Sequence, residues 1–473
     1  MRRFSGNYYE NREYMAKRLR ASESFDIIER RLEIAGQEMS FFYIDGFTKD
    51  GEMQRIMQFL LSLKECGSAD SILRRLPYVE VAISESCDEV ICAVLSGQSA
   101  FFSESFGEQV ILVDLRTYPA RTTEEPDSDR VMQGAHDGFV ETLIMNTALI
   151  RRRIRDERLT VRHFNIGGIS KTDVAVCYMK GIADEKTVSE VEKKIAAIRP
   201  RSLTLGFQSL AESLVPRGWY NPFPKIRTTE RPDAAAAHLA EGSVLVICDT
   251  SPRVMILPTS IFDYIQQTDD FYLPPLTGTY LRIIRTLILL LSVIITPLWY
   301  LCIEYAERLP AGLLFLVPDE PGAIPIILQL FLVELAIDGL KIASMNTPDL
   351  LSNSLSVVGA LLLGDFAVNI GWLSADVILY MAFVAIANFA QQNLELGHAF
   401  KFMRMMILAL TFLFGFWGFV SGIVIFIVLV ALNKTLVGKR YLYPLIPFNG
   451  RALLSLFVRR KKTAVEKKAD NGN

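Results

Sequence analysis

Histidine is scarce in this chain, and its cysteines never come in close pairs. The four histidines, His136, His163, His238 and His398, are scattered, and none sits in an HExxH string. Two imidazoles one helical turn apart, the zinc-peptidase arrangement, are therefore missing. The six cysteines are Cys66, Cys87, Cys92, Cys177, Cys248 and Cys302. They form no CxxC, and most lie in apolar runs. This argues against a zinc site or a disulfide framework and points to buried, reduced thiols. The string GGISKT (167–172) sets Lys-Thr beside glycines but lacks the GxxxxGK[ST] spacing that cradles a phosphate. No basic-aromatic pattern of a known nucleic-acid module is present, so no nucleic-acid partner is expected. With no cofactor motif and no catalytic constellation, an enzyme is the least supported class. The first twenty residues also lack the apolar stretch of about 7–15 residues of a signal peptide. The soluble part is then expected to stay in the cytosol, with the first apolar span as an internal signal-anchor.

What is present is a change of solvent near Tyr280. Hydrophobic residues make up 51% of the chain and the formal net charge is −2, but the averages hide an uneven distribution. The first 280 residues read as a mixed-charge α/β region. Long apolar runs follow from Ile283 onward, and a few ionisable groups interrupt them. The predicted architecture is an α/β soluble amino-terminal region of two related subdomains, then an all-α polytopic membrane domain.

The expected boundaries are an arm over 1–27, a first α/β subdomain over 28–118, a linker with a basic helix over 119–164, and a second subdomain over 165–275. Phe25–Ile34 carries apolar residues at a spacing that predicts a helix with one buried face. Residues 41–63 and 176–198 resemble each other. Each has a short apolar strand, a glycine (Gly46, Gly181), a polar turn and an amphipathic helix. A glycine there can take the positive φ that a strand-to-helix turn often needs. Each copy is followed by a predicted hairpin, one over 89–104 turning at Ser96-Gly97, the other over 243–258 turning at Thr250-Ser251-Pro252. The helix before the second copy carries Arg151, Arg152, Arg153 and Arg155. This cationic patch either docks an acidic partner or anionic lipid, or is a solvated face paired with Glu141, Asp156 and Glu157.

The membrane domain, 276–432, has four or five predicted spans near 283–303, 323–340, 355–373, 377–393 and 405–432. The first covers about 30 Å. Arg282 and Arg285 at its start place that side in the cytosol. Pro297 is expected to kink it, and the short apolar piece before PDEPG is expected to lie in the interface. The second span carries Glu334 and Asp338 one turn apart, with Lys341 following. These three read as a paired cluster at the cytosolic end, either an interfacial ion cluster or a cation-attracting vestibule and gating link. On the third, Asn353, Ser356, Ala360, Gly364 and Ala367 share a face that allows close packing or lines a narrow pore. Asp365 and Asn369 form a separate polar pair. The last run is long for one span, and Gly415, Gly418 and Gly422 offer places to bend or to seat a neighbour. The tail, 433–473, carries a basic run at Arg459–Lys462 and reads as cytosolic. Cytosolic termini need an even number of crossings, whereas the plainest count is five. Either 377–393 re-enters or the tail is an exception.

Several strings carry a resemblance. ALIRRRIRDERL (148–159), SKTDVAVCYMKGIA (170–183), NPFPKIRTTERPD (221–233), LAEGSVLVICDTSPRVMILPTSIFDY (239–264) and the span with GALLLGD resemble the GerA family, the A-subunit family of spore germinant receptors. WYNPFPKIRTTERPD, PPLTGTYLRIIR and LAIDGLKIASMNTP look closer to one branch of it. The resemblance covers nearly the whole chain. It implies a spore inner-membrane protein with a cytosolic-side domain of two similar subdomains. It also implies homo-oligomers that form ion channels for monovalent cations early in germination, with other germination membrane subunits and membrane lipid as partners. Where members often have a basic RGPRDGF-like string, this chain has QGAHDGF (133–139). Two other readings stay open. One is a non-conducting scaffold that assembles receptors. The other is a secondary transporter, although no inverted pair of broken helices is visible.

Overall fold

A computed structural model describes residues 2–117, 134–215, 221–267, 269–345, 367–391 and 393–458. The chain divides into two units. One comprises Met1–Arg217, Ile226–Thr259 and Thr435–Lys439; the other comprises Gly218–Lys225, Ser260–Lys434 and Arg440–Asn473.

The first unit begins with helix α1 (Tyr8–Leu19), capped by the Asn7 side chain. Strands β1 (Ile27–Ile34) and β2 (Gln37–Ile44) follow. The helix expected over 25–34 is therefore a strand. Its partner and turn explain why. Ile34 pairs with Gln37, and the two residues between, Ala35 and Gly36, both have positive φ, at 51° and 79°. That two-residue turn matches the strand twist and closes a hairpin. It outweighs a helical spacing of a few apolar residues.

Next come α2 (Asp50–Leu61), α3 (Ala69–Leu73), β3 (Val81–Ser84), α4 (Cys87–Leu95), β4 (Ser99–Ser103) and β5 (Val110–Val113). Helix α5 (Leu143–Arg153) leads into β6 (Leu159–Ile166), β7 (Thr172–Met179), α6 (Glu185–Ala197), α7 (Phe207–Leu214), β8 (Arg227–Thr229), α8 (Pro232–Ala240), β9 (Val244–Cys248) and β10 (Val254–Leu257). The first sheet has the order β1-β2-β4-β5-β3 and the second β6-β7-β9-β10-β8, which is the same winding repeated. The repeat extends to the glycines. Gly46 and Gly181 have φ of 80° and 81°, and Gly97 and Gly242 have 98° and 93°.

Those last two glycines correct the first hairpin. Residues 89–104 hold the end of α4 and then β4, as α8 precedes β9 in the second copy. Ser86 accepts a hydrogen bond from the Glu89 amide and starts the helix, with Asp88 and Glu89 in its first turn. Gly97 then ends it. The second hairpin is as expected, β9 with β10, with Thr250 at φ 63° in the turn.

Both sheets are covered on both faces. Phe42 and Phe102 join a core with α1 and α4, while Phe41 and Phe101 point into a core with α2 and α3. Likewise Val174 and Val176 face α6 and α7, and Ala175 and Cys177 face α5 and α8. This alternation puts apolar residues at successive strand positions, which is why the strands read as continuous apolar runs. All six cysteines are free thiols; Cys87, Cys177 and Cys248 are buried, but Cys92 is exposed. Burial pushes the Cys248 thiol up to about 12 and raises that of Cys177 further.

The second unit is helical. It contains α9 (Asp269–Tyr272), α10 (Pro275–Glu304), α11 (Ile326–Met345), α12 (Ala375–Phe389), α13 (Leu394–Leu432) and α14 (Gly450–Phe457). Two of its described helices, α10 and α13, are long and apolar enough to cross a membrane. α10 starts earlier than the apolar run, at the Pro274-Pro275 pair, and continues through Pro297. The piece before PDEPG is a 3-10 turn, Ala311–Leu316, with Phe315 exposed.

α13 is not straight. Gly415 has φ 57° and ψ −135°, outside the helical region, and the chain turns back there. Gly418 lies against the backbone of Leu410 and Thr411, and a Cβ on Gly422 would sit 3.1 Å from the Ile407 Cα. The Phe400 and Phe426 rings meet at 5.7 Å. The helix is thus an antiparallel hairpin with limbs 394–414 and 416–432, roughly 30 and 25 Å long at 1.5 Å per residue. The three glycines both bend the run and seat its second limb. Most of the expected third span, with Asn353, Ser356, Ala360, Gly364 and Asp365, lies outside the described residues, as does Arg459–Lys462.

Candidate functional site

A charged cluster in the helical unit is built from α10, α11 and the first limb of α13. α11 and that limb run antiparallel, so residues one turn apart on one helix meet residues one turn apart on the other. Glu334 meets Arg404, and Asp338 meets Lys401. The Arg404 Nη2 donates to both Glu334 carboxylate oxygens at 2.7 Å, and its Nη1 donates to the Ser292 carbonyl of α10 at 3.2 Å. The Lys401 ammonium contacts Asp338 and lies 3.7 Å from Glu334. The four side chains form one network with alternating sign.

Exposure rises along it. Arg404 and Glu334 are 2% and 3% exposed, Lys401 10% and Asp338 31%. The open end lines a partly enclosed cleft with Lys341, Asn388 and His398. The closed end reaches Ser292, about 13 Å along α10 from Ile283 at 1.5 Å per residue. Ser292, Thr296 and Thr411 are themselves buried. The hydroxyls of Ser292 and Thr411 donate to their own helices, at Leu289 and Ile407.

A second ion cluster stands at the start of α10. The fully buried Asp270 of α9 receives Arg282 at 3.3 Å and Arg285 at 3.0 Å. Arg282 also donates to the Leu456 carbonyl of α14, and Arg285 to the Ile265 carbonyl.

The carboxylates Glu334 and Asp338 lie one turn apart on α11, and their ion pairs give them Arg404 and Lys401, partners that were not foreseen. Lys401 and Arg404 stand three residues apart in HAFKFMRMM, just before the run taken as a span from 405. Their spacing puts them on one face, and the four-residue spacing of the two carboxylates is its complement. Lys341 lies on the cleft wall. Asn369 ends the short helix Ala367–Asn369 and is exposed.

The cationic patch on α5 is dispersed by the fold. Arg151 is fully buried and bonds Asp26 through Nε at 2.9 Å, with further bonds to Ser24 and the Leu159 carbonyl. A side chain enclosed between the two repeats has no surface left for docking, so Arg151 is removed from that role. Arg153 pairs with Asp137 at 2.6 Å, within the QGAHDGF string. Arg152 and Arg155 remain exposed.

A family model described as Bacillus/Clostridium GerA spore germination protein matches residues 13–471. The chain belongs to the GerA family. It is therefore a spore germination protein of that family. Stage V sporulation protein AF of Bacillus subtilis (strain 168) is 39% identical over 461 residues, covering 96% of this chain and 93% of that protein. Spore germination protein KA of the same organism is 27% identical over 461 residues, covering 95% and 84%. Among solved structures, the amino-terminal domain of the A subunit of the Bacillus megaterium spore germinant receptor GerK3 matches with a TM-score of 0.42 and 24% identity. It covers 54% of this GerA-family chain and 96% of that domain.

Proposed function

We propose that this GerA-family chain is a multi-pass protein of the spore inner membrane, with its α/β region on the cytosolic side. In this reading, a homo-oligomer of it, acting with other germination membrane subunits, passes monovalent cations during germination. The network of Glu334, Arg404, Asp338 and Lys401 is the observation that carries the reading. A charge near the middle of an apolar helix costs about 3 kcal/mol or more. Replacing a buried pair by apolar side chains is often neutral or stabilising, so stability alone does not call for one. A gate does. While Arg404 holds Glu334, the carboxylate is neutralised. Sliding α11 along α13 would hand Glu334 to Lys401, 3.7 Å away. A carboxylate freed of its arginine would raise the local cation concentration.

The helix count supports the same reading. α13 contributes two limbs, so α10, α11, the expected third span, α12 and these limbs make an even number. Both termini then lie on one side, as the basic tail and Arg282 and Arg285 require. Lys341, Asn369 and the small and polar residues Asn353, Ser356, Ala360, Gly364 and Asp365 remain candidates for the path. Potassium release from germinating spores tests the proposal. Glu334→Gln should change the release rate several-fold while the protein stays in the membrane fraction; unchanged kinetics would overturn the assignment.

One observation favours the scaffold reading instead: every charge in the network has an internal partner, so among the described residues the network presents no bare acidic collar. A scaffold would use its soluble surface. Reversing Arg152 and Arg155 to Glu should then abolish co-purification with other germination subunits and leave any conductance of the purified protein untouched.

A further inference from the structure

Lys401 and Arg404 stand on the first limb of α13, and a ring from a distant part of the chain packs against that limb. Phe223 lies in Asn221–Lys225, which groups with the helical unit although α7 before it and β8 after it belong to the α/β unit. Its side chain is buried in the core that Leu396, Ala399, Met403 and Ile407 of that limb also enter. It meets Phe400 of the first limb at 6.1 Å, nearly edge-on, and Phe426 of the second limb at 6.2 Å. Phe400 and Phe426 meet each other at 5.7 Å. The three rings form a near-equilateral cluster, one from each limb and one from outside the hairpin. Such ring pairs contribute beyond the area they bury. Near the bend, Gly418 and Gly422 let the limbs approach closely. At the far end the bulk of the three rings sets the spacing instead.

Phe223 is itself held stiffly. Pro222 and Pro224 flank it. Each proline fixes its own φ and keeps the residue before it extended. The Phe223 amide donates to the Asn221 side chain at 3.1 Å, and the Tyr441 hydroxyl donates to the Pro224 carbonyl at 2.7 Å. Tyr441 is fully buried, and its carbonyl receives the Ile261 amide. Three residues past Phe223, Ile226 is buried in the core of the α/β unit with Val244 and Leu257. A short, stiff piece of chain thus has one anchor in each core.

Phe400 directly precedes Lys401, and Arg404 follows it by one turn on the same face. Glu334 lies 2.7 Å from Arg404 and 3.7 Å from Lys401, so a shift of this limb comparable to that difference changes which cation holds the carboxylate. We propose that Phe223 is a positioning residue for the Arg404–Glu334 pair, and that Asn221–Lys225 is the strap through which the α/β unit acts on it. The proposal rests on the gating reading above. Packed cores have few intermediate arrangements, so a displaced ring favours another seating of the limb rather than a slack one.

Potassium release from germinating spores and the melting temperature of the purified full-length protein test it together. Phe223→Leu keeps the core apolar but removes the ring. It should change the release rate by at least about twofold. In a Glu334→Gln background the same substitution should add nothing, because Phe223 acts through that carboxylate. A merely structural role gives additive effects, and these would overturn the proposal, as would an unchanged rate in Phe223→Leu. Two glycines inserted between Lys225 and Ile226 leave both anchors seated. That insertion should keep the wild-type melting temperature and still alter release; normal release would overturn the strap. An unchanged rate in Glu334→Gln alone sinks the gating reading and this inference with it. A changed rate there with additive Phe223 effects sinks only the inference.

Discussion

Among the buried arginine–carboxylate pairs of the described residues, one from each unit makes a comparison, and the two are built differently. Arg151 and Asp26 are 0% and 2% exposed, and Arg404 and Glu334 are 2% and 3%. In the α/β unit, Arg151 also bonds Ser24 and the carbonyls of Asp156 and Leu159, and Ser24 in turn bonds Asp26 and the Val161 amide. Every neighbour is fixed, and the pair cements one repeat to the other. In the helical unit, Arg404 has one carboxylate and one carbonyl, and a second ion pair lies one turn away toward an open cleft. The first pair has no second ion-pair partner among the described residues. The second has one. The same chemistry thus serves as a fastener in one place and is available as a switch in the other.

Removing one partner should have the strongest effect, and more so in the α/β unit. Arg151→Ala leaves the buried Asp26 carboxylate uncompensated and should cost about 3–5 kcal/mol in chemical or thermal unfolding of the purified protein, whereas Arg404→Ala should cost less, because the Lys401 ammonium lies 3.7 Å from Glu334. Replacing both partners by apolar residues should separate them. Glu334→Leu with Arg404→Met should leave stability near wild type while changing cation release. Asp26→Leu with Arg151→Met should still destabilise, because Ser24 and two carbonyls lose their donor. Equal behaviour of the two double variants would break the comparison.

The two copies of the α/β repeat allow a finer test. Gly46 and Gly181 share a positive φ, so alanine should cost about 1–2 kcal/mol at either position. At Gly46 a Cβ would also meet Ile144 at 2.9 Å and Ala148 at 3.2 Å of α5, whereas nothing lies within 4 Å at Gly181. Gly46→Ala should therefore be the more destabilising, by about 1–3 kcal/mol of overpacking. Unfolding midpoints of the two variants decide it. Equal costs would mean that α5 yields.

The smallest effect belongs to an exposed pair. Lys439 lies 2.9 Å from Asp184, and with the Thr187 hydroxyl it holds the Asp184 carboxyl down at about 2, from an ordinary 3.8. A depressed folded value means that the contribution is full above about pH 4 and fades as pH falls through 2. Both side chains are about half exposed, so salt screens the pair and its worth is small. Asp184→Asn should flatten the stability profile between pH 4 and 2 and change little at pH 7. A loss at pH 7 as large as that of Arg151→Ala would contradict this ranking.

Much of the fold was legible because it rests on local signals. The strand, glycine and helix of each repeat stand in the sequence, and so does the apolar half. The failures came where a local pattern had two solutions. EVICAVL satisfies a buried strand and a buried helix equally, and only the Ser86 cap and the Gly97 turn decide. The spacing of Phe25–Ile34 fits a helical face, but the positive φ at Ala35 and Gly36 fixes a hairpin. At the site, the two carboxylates were visible as charges in an apolar run. Lys401 and Arg404 were not, because they border a run and look like ordinary flanking residues until α11 is laid against α13. Arg151 misled in the opposite direction: four arginines within five residues look like a surface, yet helical geometry turns one of them inward.

Cation conductance of the purified full-length protein in liposomes tests the central claim most directly. Wild-type protein should conduct monovalent cations, and Glu334→Gln and Arg404→Gln should each alter the conductance several-fold in correctly inserted protein. Conductance that is absent in all three, or identical in all three, would contradict the role given to the buried network.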